Sequence, residues 1–287
     1  MSLLISSSSY IKRPDTTSTI VSICAYVAFL FATEHFSRAV LEKIGPFVHV
    51  LFDKDHEHNR KVVARHLGVD LVACASVSVI GVRSRKYLSQ IRARFWDSKA
   101  TFRKSYDRRM WTYIPEAHQC LLIFTAYQVK NLYDSFVWDD GLEFIIHHVL
   151  AGTAAWGSMY PGCGHTYALF YMGISEISTS VLVILANFDD VHGVKGLADA
   201  FPTLKIACAV AFVVAFITCR IVMWPWVSKL YIEDTMAAMK NTDDKKMKER
   251  KRWLVGFAII LGSLTVLQFI WLGQIILMGK EEIEKML

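Results

Sequence analysis

His147 and His148 stand side by side inside an apolar run, residues 142–160, that is long enough to cross a lipid bilayer. Imidazole is the side chain that titrates unperturbed near neutral pH, so such a pair could move protons or attack a carbonyl carbon. Hydrocarbon is a costly place for an ionisable group, which makes the pair a candidate site. Glu143 lies one helical turn before His147, where a carboxylate could fix that ring's tautomer and raise its basicity. His148 points about 100° away from His147 around a helix, so the two rings need not share one task.

Further ionisable residues fall in other apolar runs: Asp70, Lys130, Asp134, Glu176 and Arg220. Each would cost about 2.5–3.5 kcal/mol at the centre of a lone membrane helix, so together they must line a shared interior. Helical spacing agrees. His66, Asp70, Cys74 and Ser78 recur every four residues on one face, and Lys130 and Asp134 are four apart with Tyr127 one turn earlier. Arg220 is a countercharge for Glu176 or Asp134, and structural pairing between helices competes with chemistry as the reason for these charges.

The elements that position these groups are long apolar stretches. With 53% hydrophobic residues, the chain of 287 residues concentrates them in runs at 16–40, 62–82, 117–138, 142–160, 164–188, 204–226 and 253–278. Runs of this length predict an all-α polytopic membrane protein of about seven helices, and they exclude barrel strands. The first run is the least regular, because Glu34, His35 and Arg38 crowd its end. Residues 1–19 read as a Ser/Thr-rich tail before a signal-anchor helix.

Charge between the runs is uneven. Ten bases, from Arg83 to Arg109, stand between the second and third runs against Asp97, Asp107 and Glu116. Six more, Lys245, Lys246, Lys248, Arg250, Lys251 and Arg252, precede the last run. Both segments fall on the side of the amino terminus, which the positive-inside rule assigns to the cytosol. They set orientation or attract anions such as lipid headgroups and the phosphates of coenzyme A. Tyr87, Phe95, Trp96, Phe102, Tyr106 and Trp111, interleaved with the first group, predict an amphipathic segment along the membrane surface, and nucleic acid is not an expected partner.

Cys24, Cys74, Cys120, Cys208 and Cys219 lie in apolar runs, so no disulfide framework is expected, and Cys163 with His165 is too small a set for a metal site. The histidines lack the repeated boxes of a two-metal oxygenase, since the position that would complete one before the pair is Phe144.

Four stretches together resemble the TLC-domain family of membrane proteins, relatives of ceramide synthases and TRAM-like translocation factors. They are Ala126-Tyr-Gln-Val-Lys-Asn-Leu-Tyr-Asp134, Leu142-Glu-Phe-Ile-Ile-His-His-Val-Leu-Ala151, Ile174-Ser-Glu-Ile-Ser-Thr179 and Phe216-Ile-Thr-Cys-Arg220. The resemblance covers roughly residues 59–278, leaving 1–58 as tail, first helix and connecting loop, and 279–287 as a carboxyl-terminal tail. Its landmarks are Asp134, His147 with His148, Glu176 and Arg220.

The resemblance implies six helices forming a barrel around a lipid-sized cavity, with the histidines facing inward. It also implies acyl transfer from acyl-CoA to a lipid amine, as in ceramide synthases, in the endoplasmic reticulum membrane and with no bound cofactor. On that reading His147 or His148 deprotonates the amine or attacks the thioester, and Asp134, Glu176 or Arg220 orients the rings or the substrate's polar end. Ceramide synthases carry a His-Asp-x-Ser-Asp run before the fifth-helix glutamate, whereas this chain has Ala168-Leu-Phe-Tyr-Met172, so it looks closer to the shorter TLC-domain proteins. A non-catalytic lipid-binding regulator of membrane composition and a structural subunit of a membrane complex stand as alternatives.

Overall fold

A chain in hydrocarbon must bond each backbone N–H and C=O within its own segment, so apolar runs of this length fold as helices. In the computed structural model, which describes residues 14–44, 56–96, 105–160, 162–189, 191–240 and 245–286, they do so almost throughout. Most of the expected amino-terminal tail and the loop bases Lys99, Arg103 and Lys104 lie outside the described residues, as do the side chains of Lys245, Lys246 and Lys248.

In chain order the helices are α1 (Thr16–Ile44), α2 (56–83), α3 (Arg85–Arg92), α4 (Tyr106–Trp111), α5 (Pro115–Trp138), α6 (Leu142–Met159), α7 (His165–Ala186), α8 (Leu197–Ala200), α9 (Pro202–Lys240) and α10 (Lys245–Met286). Seven of them, among the described residues, have eighteen residues or more. Five of these, α1, α2, α7, α9 and α10, are long and apolar enough to cross a membrane. The other two, α5 and α6, hold Gln128, Lys130, Asp134 and the histidine pair, and those polar residues lower their hydropathy. Two boundaries differ from the sequence reading. Helix α9 runs on to Lys240 and α10 starts at Lys245, so most of the second basic segment is the opening of a helix instead of a loop.

Neighbouring contacts close a ring: α2 packs on α5, α5 on α6, α6 on α10, α10 on α9, α9 on α7 and α7 back on α2. Helix α1 lies outside this ring against α2 and α5. Asp139, with φ of 56°, and Gly141, with φ of 107°, turn the chain between α5 and α6 within three residues. That short connection forces the two helices to run antiparallel in contact. Both basic segments meet at one end of the bundle, where Arg250 lies over the Trp111 ring at 5.8 Å. The start of α1 is at the same end, because Tyr160 donates to the Pro14 carbonyl at 2.6 Å.

Helices α2 and α7 touch backbone to backbone. A Cβ on Gly81 would stand 2.9 Å from the Ile174 nitrogen, and one on Gly173 would stand 3.0 Å from the Gly81 Cα. Small residues permit this approach, as they do at other membrane-helix crossings. Gly81→Leu or Gly173→Leu is therefore expected to destabilise the protein by about 1–3 kcal/mol through overpacking. Gly262→Ala, on the outward face of α10 with nothing within 4 Å, should leave the melting temperature unchanged or raise it. Thermal unfolding in detergent compares the three, and equal behaviour would contradict the crossing.

Candidate functional site

Three of the ring helices contain a π-helical turn: His66–Asp70 in α2, Phe170–Ile174 in α7 and Ile217–Met223 in α9. Each turn shifts the following residues around the helix axis, and such turns are frequent at functional sites. The first ends on Asp70, the second stops two residues before Glu176, and the third contains Arg220. Asp70, Glu176 and Arg220 thus sit at or within two residues of a place where the helix departs from its regular period.

Glu176 and Arg220 form one of the bonds expected from sequence. Arg220 Nη2 lies 2.6 Å from Glu176 Oε1 and 3.0 Å from Thr179 Oγ1, and its Nε lies 3.2 Å from Ser178 Oγ. The Trp224 ring covers the guanidinium at 5.3 Å. Both partners are nearly enclosed, at 7% and 6% side-chain exposure, so removing either would leave an uncompensated buried charge. From α2 the Cys74 thiol reaches Glu176 Oε2 at 3.7 Å, which shows that its face turns inward as the four-residue spacing predicts.

His147 faces the same interior from α6. His147, Glu176 and Arg220 line one cavity with Phe124, Ala151, Ala154, Tyr171, Met172 and Trp224, closed on the α10 side by Phe257, Ile260, Leu261 and Leu264. It offers about 20 Å³ to the centre of a water-sized sphere, room for about one water. The lipid-sized chamber implied by the family resemblance is therefore not open at this width, because aromatic and leucine side chains fill the middle of the ring. The His147 ring lies between those of His148, at 5.4 Å, and Trp271, at 5.1 Å. Phe144 stacks on the same indole at 6.1 Å.

His148 turns away from the cavity, as the 100° step between adjacent residues requires. Its Nδ1 is 2.7 Å from Gln128 Oε1 on α5. With the amide oxygen as acceptor, Nδ1 carries the proton and Nε2 the free lone pair. The sequence reading missed Gln128, since one amide in an otherwise mixed helix carries no charge signal. The bond expected between Glu143 and His147 is not formed among the described residues, and the Nδ1 of His147 is buried without a partner.

Asp134 belongs to a different cluster. Lys130 Nζ sits 2.7 Å and 2.5 Å from its two carboxylate oxygens and 2.9 Å from Glu34 Oε2 of α1, which also binds Arg38. The expectation that Asp134 orients the histidines or pairs with Arg220 is thus replaced by a lysine-centred bridge that ties α1 to the ring. Glu34 was readable as a carboxylate in an apolar run, and its partner was not. Among the basic residues of the first loop, Arg109 is buried with Asp234, at 1% exposure each, instead of facing solvent. His165 accepts from the Ile114 N–H at 3.0 Å through Nδ1 and contacts the Ser158 carbonyl at 3.2 Å through Nε2, so it holds the α6–α7 turn to α5.

The arrangement can do proton chemistry in an enclosed place. It puts one imidazole next to a charge-neutral carboxylate–guanidinium pair, with a second imidazole behind the first and apolar walls on the remaining sides. Comparison with known proteins adds one finding, since no match was found among curated proteins or among solved structures. The sequence model of the TLC domain matches residues 66–277, which takes in α2 from its π-turn and every later helix of the ring. The chain belongs to the TLC-domain family.

Proposed function

We propose that this chain is a lipid-handling membrane enzyme that transfers an acyl group from acyl-CoA to a lipid amine. The observation that carries the reading is the meeting of His147, Glu176 and Arg220, from three separate helices, on one apolar cavity. A protonated amine cannot attack a carbonyl, so the reaction needs a base in reach of the nitrogen. One ammonium proton is lost to solvent as the amine enters as the free base; its lone pair then forms the C–N bond while His147 takes a second proton from the nitrogen and the carbon–sulfur bond breaks. The imidazolium then returns the proton to the departing thiolate. The alternative order, in which an imidazole nitrogen attacks the thioester first, uses the same residues. His148 stands behind as the ring whose tautomer Gln128 fixes, while Glu176 and Arg220 orient the polar end of the lipid.

The hydrocarbon tail requires the cavity to widen, and on this reading it does so past the α10 wall of Phe257, Ile260, Leu261 and Leu264. Acyl-CoA brings negative phosphates, which the basic end of the bundle attracts. The substrate amine is of the sphingoid type and the membrane that of the endoplasmic reticulum on this reading.

The stretch Ala168-Leu-Phe-Tyr-Met172, which lacks the acids that ceramide synthases carry before the fifth-helix glutamate, favours one second reading, a non-catalytic protein that holds a lipid and acts through membrane composition. Incubating the purified chain with acyl-CoA and a sphingoid base separates the two. N-acylated product with release of free coenzyme A is expected, and lipid retention without any product would overturn catalysis.

A further inference from the structure

Three side chains on α6 and α10 bury polar atoms that have no hydrogen-bond partner among the described residues: His147 at Nδ1, Trp271 at its indole nitrogen, and Gln268 at both amide atoms. Gln268 is only 1% exposed. Each such orphan costs about 1–3 kcal/mol, and native proteins keep few of them without a reason. These three are neighbours. The Trp271 ring packs against His147 at 5.1 Å, and Gln268 lies three residues before Trp271 and four after Leu264, on the same face of α10. Leu264 and His147 both line the cavity.

The inward stripe of α10 reads Leu254, Phe257, Leu261, Leu264, Gln268, Trp271, with apolar residues until it reaches the level of the histidine. A leucine at 268 would continue the packing with no polar atom to satisfy, and a glutamine used for structure would bond a neighbour. Gln268 does neither.

We propose that Gln268 and Trp271 form a polar subsite, beside His147, for the carbonyl group of an acyl lipid. The indole N–H and the amide N–H of Gln268 donate to the carbonyl oxygen, while Gln268 Oε1 accepts from an adjoining N–H or O–H. The ligand group is uncharged, because the two charges that share the cavity with His147, Glu176 and Arg220, already neutralise each other at 2.6 Å. An amide and an ester share this chemistry. Two donors aimed at one carbonyl oxygen would also act on the negative charge that develops there during acyl transfer. The inference rests on the reading of the cavity as a lipid site, and it holds whether or not the protein turns the lipid over.

Delipidated protein in mild detergent is titrated with radiolabelled hexadecanamide and, separately, with radiolabelled hexadecane. Wild type is expected to prefer the amide. Trp271→Phe keeps a ring against His147 and Phe144 but deletes the donor, and Gln268→Leu completes the apolar stripe. Each change is expected to weaken amide binding about tenfold, the worth of one hydrogen bond at the upper end of its usual range. Alkane binding should stay the same, and the melting temperature of the empty protein should hold or rise. Wild-type amide affinity in both variants overturns the subsite, and so does equal affinity of wild type for amide and alkane. Binding of neither molecule by wild type overturns the lipid site itself. Intact amide discrimination in a protein that transfers no acyl group supports the subsite and removes the proposed reaction.

Discussion

On the proposed reaction, His147→Ala is expected to lower acyl transfer by about a hundred- to ten-thousandfold, the range that follows the loss of a positioned general base. His147 is the histidine that lines the cavity with Glu176 and Arg220, and Trp271 and His148 hold its ring from two sides. The loss should fall on kcat, with KM for acyl-CoA little changed, because the proposed role places the ring against the reacting nitrogen and away from the nucleotide. His148→Ala should cost less, since that ring bonds Gln128 and acts on the reaction through its neighbour. Steady-state rates for both variants, with membrane content and melting temperature as folding controls, check the ranking. A His147→Ala enzyme at the wild-type rate would show that the cavity histidine is structural.

Asp234→Asn or Arg109→Met is expected to destabilise the protein by about 3–5 kcal/mol, the usual result of leaving one member of a buried ion pair uncompensated. Arg109 Nε and Nη2 lie 2.6 Å and 2.7 Å from the two oxygens of Asp234, a two-point bond. Tyr167 donates to the same carboxylate at 2.6 Å, and Ser105 accepts from the guanidinium at 2.7 Å. Burial disfavours the charge on Arg109, but the hydrogen bonds and charge of Asp234 outweigh it and raise the guanidinium pKa further. The cluster joins α4, α7 and α9, so its loss should loosen the end of the bundle at which the basic segments meet. Thermal or denaturant unfolding measures the cost. The double variant Arg109→Met with Asp234→Leu should recover much of it, because an apolar pair leaves no stranded charge. Single variants with unchanged melting temperatures would contradict the role assigned to the cluster.

How far the sequence carries depends on the kind of force that sets each feature. The long apolar runs fix the helices, because backbone bonding in hydrocarbon leaves one solution, and the expected runs at 117–138 and 142–160 fall within two residues of α5 and α6. Spacing within one helix was readable for Lys130 with Asp134, whereas Glu143 and His147, also four apart, do not pair among the described residues. Choices between helices were not readable. Arg220 had two carboxylates to choose from, and the packing of α9 on α7 brings it to Glu176. Asp134 is taken instead by Lys130, with Glu34 of α1 completing the bridge. Arg109 looked like one more solvated base, since nothing within its own segment marks the distant partner Asp234. The π-turns themselves depend on packing between helices and leave no period in the sequence. Gln268 carried a readable sign, a polar residue on the stripe that connects Leu264 to Trp271, but an uncharged amide in a long apolar run does not stand out by composition.

The proposed function requires the ring of helices to admit an acyl chain to its interior, next to His147. Photolabelling with a fatty acid that bears a diazirine along its chain, followed by residue-level mapping, tests this most directly. The expected labels fall on Ala151, Leu261 and Leu264, which line the cavity, and unlabelled acyl lipid should compete them away. Labels confined to Val149, Ile259 and Val266, which face outward at 48%, 66% and 60% exposure, would contradict it.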